Sequence, residues 1–97
     1  MRIVVANEPR AYREVLGAAL GVLRPQATIL VSEPGQLEEV IERFTPHLVV
    51  CSHLVTGMPL AWVVLDPDAP AERMGQFGLD DVLALVDEAA QWSETMP

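Results

Sequence analysis

The sequence has no lysine at all, so its entire positive side-chain charge rests on six arginines. It has one cysteine and two histidines. A single cysteine excludes an internal disulfide, and this small stock of soft ligands argues against a structural zinc site. Aromatic residues are scarce, at 5%. No apolar run approaches the roughly 20 residues that a membrane helix needs. No leader-like stretch precedes the first strand. The expected location is therefore the cytoplasm, with no membrane contact. A glycine-rich phosphate loop, a recognisable catalytic triad, internal repeats and low-complexity tracts are also missing, which weighs against a nucleotide-dependent or hydrolytic enzyme.

Charge is distributed unevenly. Residues 1–60 hold six acids against five arginines, whereas residues 61–97 hold eight acids against Arg73 alone. The net charge is −8. Affinity for nucleic acid rests largely on cations that neutralise phosphates, so DNA and RNA are excluded as partners of this chain alone. The acidic last third is a solvated surface or a docking face for a basic protein.

What is present is an α/β pattern. Ninety-seven residues, 51% of them hydrophobic, suffice for one core, read as a single domain over 1–97 with a frayed tail at 93–97. The segments RIVVA (2–6), ATILV (27–31), HLVVC (47–51) and AWVVL (61–65) are short, β-branched and nearly all apolar. Such runs suit parallel strands buried on both faces. Between the first two, Tyr12, Val15, Leu16, Ala19 and Leu23 recur at helical spacing, with Pro9 at the entrance and Pro25 at the exit. Leu37, Val40, Ile41 and Phe44 form a second stripe, stopped by Pro46. Leu79, Val82, Leu83, Val86 and Ala89 form a third, with Asp80 and Asp81 suited to that helix's N-terminus. Trp92 is expected to pack the end of that helix.

In an open α/β sheet, ligands sit beyond the C-terminal ends of the strands, where the strand order reverses. The residues to watch are therefore Ala6, Asn7 and Glu8 after the first strand, Ser52 and His53 after the third, and Asp66 after the fourth.

These motifs resemble the receiver domains of two-component response regulators. RIVVANEP looks like the receiver's first strand running into its acidic pair, and PHLVVCSH like the strand that carries its phospho-accepting aspartate. GLDDVLALVDEAA resembles its last helix. The resemblance covers residues 2–66, and more loosely 78–92. It implies a flavodoxin-like, three-layer α/β/α fold on a small, mostly parallel sheet of about four strands in the order 2-1-3-4. Receiver phosphorylation needs a carboxylate nucleophile, two acids holding a divalent ion, and a lysine. By this resemblance Ser52 aligns with the acceptor, Ala6 and Asn7 with the acidic pair, and Asp66 with the conserved hydroxyl residue. No lysine exists to complete the set. The expectation is a degenerate pseudo-receiver without phosphorylation chemistry, hence no enzyme and no cofactor.

A second departure is architectural. Residues 52–60 stand where the receiver has a whole helix, and the breaker-rich 67–78 segment replaces another helix and most of a strand. Nine residues can still span up to about 30 Å, so a parallel fourth strand is expected, with an antiparallel hairpin as its rival. One face of the sheet is then under-covered. Leu54, Val55, Met58, Leu60 and Trp62 become candidate contacts with a protein partner or a second copy, most simply a homodimer.

Each candidate has a plainer role as well. Cys51 and His53 form a redox or metal pair, or else an inert buried thiol beside a solvated loop residue; with no second cysteine and no basic neighbour, the latter is favoured. Ser52 as a nucleophile lacks an adjacent base, because His53, next in sequence, points to the opposite side of a continuing strand. Glu8 and Asp66 are weak candidates for a magnesium or calcium site, or else cap the first helix and open an Asp-Pro turn. The function expected is regulatory protein–protein interaction in signal transduction. The alternative is a small-ligand or divalent-cation sensor using the crevice around Asn7, Glu8, Ser52 and Asp66.

Overall fold

A computed structural model of the chain describes residues 1–59, 61–65 and 79–95, and of residues 79 and 92–95 the backbone alone. The elements are β1 (Arg2–Ala6), α1 (Arg10–Leu23), β2 (Thr28–Val31), a 3-10 turn (Pro34–Gln36), α2 (Leu37–Phe44), β3 (Leu48–Cys51), β4 (Ala61–Val64) and α3 (Leu79–Thr95). The strands lie in the order β2-β1-β3-β4, and every pairing is parallel. The antiparallel rival for β4 is thereby removed. The connection from β3 to β4 makes its return without a helix among the described residues. It turns at Gly57, whose φ of 87° lies where a side chain would be strained.

Strand alternation sorts the apolar residues into two cores. Ile3, Val5, Leu48, Val50 and Val63 point to one face, under α1 (Leu16, Leu20) and α3 (Val82, Val86, Ala89). Val4, Ala6, Val49 and Cys51 point to the other, under Leu37 and Ile41 of α2. Among the described residues α2 is the one α-helix on that second side. Its eight residues make a rod about 12 Å long and 10 Å across, while four strands spaced about 4.8 Å apart span about 14 Å between outer axes. One helix therefore covers about two strands. The two it covers are the central ones, β1 and β3.

The outer strands correct one expectation from sequence. Burial on both faces holds for β1 and β3 but not for β2 or β4, where Leu30, Trp62 and Val64 stand exposed on the α2 side. A second correction concerns α1. Its buried face consists of Arg13, Leu16, Gly17 and Leu20, so the helix is rotated from the stripe read in the sequence, and Val15 and Leu23 face solvent. The cause is Gly17. A Cβ there would lie 2.5 Å from Cγ2 of Val31, so the missing side chain lets α1 settle on β2 along that line.

The end of α1 is fastened to α3. Arg24 Nε and Nη2 donate to the two carboxylate oxygens of Asp87 at 2.8 and 2.9 Å, a bidentate pair. That contact raises the Arg24 pKa and lowers that of Asp87, the hydrogen bond being the main cause in each case. At the opposite end of the sheet from the crevice, His47 Nδ1 accepts the backbone N–H of Arg2 at 2.9 Å, and the backbone N–H of His47 donates to Arg2 O.

Candidate functional site at the strand ends

The chain leaves β1 for β2 on one side and later adds β3 on the other, so the order reverses between β1 and β3. The ladder there ends on the pair Ala6 and Cys51. Just past it, the Glu8 N–H donates to Ser52 Oγ at 2.8 Å, tying the β1–α1 turn to the end of β3. This bond brings together four of the five pocket residues expected from sequence: Ala6 and Asn7 are fully buried, Ser52 is nearly so, and Glu8 is exposed. Asp66 lies outside the described residues.

Among the described residues, the buried groups at this end include no acid. The hydrogen bond that Ser52 Oγ makes is structural. Cys51 is buried with Sγ 3.7 Å from Val63 O, and burial pushes its thiol pKa up, away from the reactive thiolate. His53 is exposed. Among the described residues no group of three His, Cys, Asp or Glu side chains is placed to hold a metal ion. Glu8 does not cap α1, either: the N-cap is Pro9, no side chain caps the helix, and the Glu8–Pro9 peptide is cis.

Two polar groups stand out for lacking partners. Asn7 is completely buried, yet neither Oδ1 nor Nδ2 has a hydrogen-bond partner among the described residues, and the same holds for Nε of Arg13, which is 6% exposed. Buried polar atoms are paired in nine cases of ten or more, because an unpaired one costs about 1–3 kcal/mol. Arg13 was not among the residues expected to matter. Its signal in the sequence was there: α1 opens with Arg10 and Arg13 and has no acid in its first turn, the reverse of what the helix dipole favours.

The candidate interface residues divide. Val55 and Met58 are half-buried against the Val4 and Ala6 core, so they serve as cover for the sheet. Leu54 and Trp62 are exposed, and Leu60 lies outside the described residues. Leu30 and Val64, not expected from sequence, join Trp62 on the open α2 side. On the edge toward α3, Leu48, Ala61, Trp62, Leu85, Glu88 and Ala89 line a hollow of about 100 Å³, too small for the ligands of ordinary binding clefts.

No helix among the described residues is long and apolar enough to cross a membrane. No family model matches the chain, and neither a curated protein nor a solved structure matches it.

Proposed function

We propose that the chain is a receiver-like regulatory module without phosphorylation chemistry, which works by binding protein through the α2 side of β4, and that the protein bound there is a second copy of itself. The observation that carries this reading is the exposure of Trp62 (46%) and Val64 (38%) side by side on that face, with Leu54 at 56% in the preceding loop. Tryptophan exposed next to aliphatic residues is the usual make-up of an interface anchor. The parallel 2-1-3-4 sheet and a strand end furnished with Ala6, Asn7 and Ser52 are what a receiver stripped of its acids would present.

The acidic helix α3 packs on the opposite side of the sheet. Two copies meeting through the β4 edge of this side bury apolar surface and keep the more acidic α3 helices apart, while α2, with Glu38, Glu39 and Glu42 against Arg43, sits over the central strands, and a two-fold axis makes the patch self-complementary.

Sedimentation equilibrium over a range of concentrations tests the reading. The expected result is a concentration-dependent dimer, with Trp62→Ala weakening it by about 2 kcal/mol, roughly thirtyfold, and leaving helix content unchanged. A wild-type chain that stays monomeric at high concentration and binds no hydrophobic dye overturns it.

The crevice supports a second reading, as a ligand sensor, because of the unpartnered Asn7 and Arg13.

A further inference from the structure

We infer that the crevice beyond β1 takes a small oxyanion that still carries an O–H group, rather than a divalent cation. This deepens the ligand-sensor reading and is independent of self-association. The argument begins with where the polar groups stand. Val5 points to the α1 side of the sheet, and the residue two further on in an extended chain points the same way, which puts Asn7 on that side at the C-terminal end of β1. Arg13 belongs to the buried, sheet-facing row of α1, one turn before Gly17, which rests on Val31 at the end of β2. Asn7 and Arg13 thus share one face and one end of the sheet.

The helix start lies at the same end. The first bond of α1 runs from the Arg13 N–H to Pro9 O, so the N–H groups of Arg10, Ala11 and Tyr12 have no acceptor within the helix. Most helices settle these donors with a capping oxygen from Ser, Thr, Asp or Asn. Here the N-cap is a proline. Asn7, whose Oδ1 is free, stands two residues before it and does not serve as a cap. A positive helix end, a buried guanidinium edge and a buried amide are therefore collected with no buried acid beside them among the described residues, Glu8 being exposed.

The donors select an anion. The remaining atom narrows the class: Asn7 Oδ1 is an acceptor, fully buried, and needs a donor in return. Acetate offers none at neutral pH. Inorganic phosphate keeps at least one proton there, so it presents oxygens to Arg13 and Asn7 Nδ2 and an O–H to Oδ1. Binding of this kind is noncovalent and leaves Ser52 in its bond to Glu8 N–H.

The test is an NMR titration of the isotopically labelled full chain with sodium phosphate at constant ionic strength. It follows the Asn7 side-chain amide and the Arg13 Nε–H directly in the wild-type protein. Both signals are expected to shift saturably with phosphate and not with acetate. Glu8→Gln, at an exposed position, is expected to tighten binding several-fold by removing a nearby like charge, while Arg13→Gln abolishes it with the far-UV spectrum retained. Should Arg13→Gln unfold, the Glu8→Gln arm and the wild-type signals still decide. No saturable shift of either signal, or an equal response to acetate or chloride, overturns the inference and leaves these groups to internal water. A response to magnesium that Glu8→Gln removes overturns it in favour of a cation.

Discussion

Replacing Gly17 or Gly21 by alanine changes the same atoms, on the same helix, four residues apart, and the structure assigns the two changes opposite outcomes. Alanine is favoured over glycine inside a helix by about 1 kcal/mol. At Gly21 a new Cβ meets nothing within 4 Å, so that whole gain is expressed. At Gly17 it would come 2.5 Å from Cγ2 of Val31. Valine is stiff about χ1, so it cannot swing the methyl away cheaply, and either α1 lifts or Val31 leaves its rotamer. Overpacking of this kind costs about 1–3 kcal/mol, so Gly17→Ala nets a loss of about 0–2 kcal/mol after the propensity gain.

Thermal unfolding followed by far-UV circular dichroism separates the two variants. For a domain of this size 1 kcal/mol moves the midpoint by about 4–8 °C, so Gly21→Ala rises by that much while Gly17→Ala stays level or falls. Val31→Ala in the Gly17→Ala background removes the offending methyl. The pair should show a favourable coupling of about 1–3 kcal/mol in a double-mutant cycle. If Gly17→Ala stabilises as much as Gly21→Ala, with no coupling to Val31, then α1 does not rest on β2 at this point and the rotation that buries Arg13 loses its cause.

Three further outcomes follow from single contacts. His47 has its pKa lowered, chiefly by burial, then by the charges of Arg2 and the N-terminus. As pH falls below about 6.5, the unfolded chain takes up a proton that the folded chain resists. Stability present above that value is therefore lost as pH drops through the lower folded pKa; His47→Asn, whose amide oxygen replaces the acceptor for Arg2 N–H, should flatten this part of a urea-midpoint profile. Thr45 holds a left-handed conformation at the end of α2, with φ 47°. A β-branched residue is poorly suited there, so Thr45→Asn should raise the unfolding free energy by about 1 kcal/mol in urea titrations, and a loss would refute the strain. Cys51, 1% exposed with its thiol pKa raised by burial, should react with a disulfide reagent only as fast as the protein opens; rapid labelling of the native chain would show an exposed thiol.

Most of the architecture was legible because it rests on patterns of period two and 3.6. The apolar runs of β1 and β3 and the Leu37, Val40, Ile41 and Phe44 stripe of α2 needed no tertiary information, since each residue's neighbours in the chain dictate its face. Reach allowed β4 to run parallel and made that the favoured reading over an antiparallel hairpin, and the ladder with β3 decides it. Two things were not legible. The rotation of α1 depends on one close approach, Gly17 to Val31, which pairs residues fourteen apart and leaves no periodic trace. That one face would be under-covered, with Trp62 on it, was read from the missing helices, but that the bare strands are the outer two, with Leu30 and Val64 exposed, depends on how many strands one short helix can cover, a property of the assembled layers and not of any strand.

The candidate site divides along the same line. Strand-end residues were found because topology names them in advance, whereas Arg13 was passed over because a helix interior normally buries apolar groups and the stripe through Val15 offered a complete alternative. That alternative fails on charge as well as on packing. A helix that opens with two arginines and no acid works against its own dipole by a few tenths of a kcal/mol per charge, and Arg13 adds the cost of burying a guanidinium edge without a partner. The Arg10–Glu14 pair, at 3.0 Å and exposed on both sides, answers for Arg10. Among the described residues nothing similar answers for Arg13 Nε or for the Asn7 amide. Among the described residues the buried side-chain polar atoms without a partner are those of Asn7 and Arg13 alone, so these unfavourable terms are concentrated at one strand end, the pattern that the proposed anion site would account for.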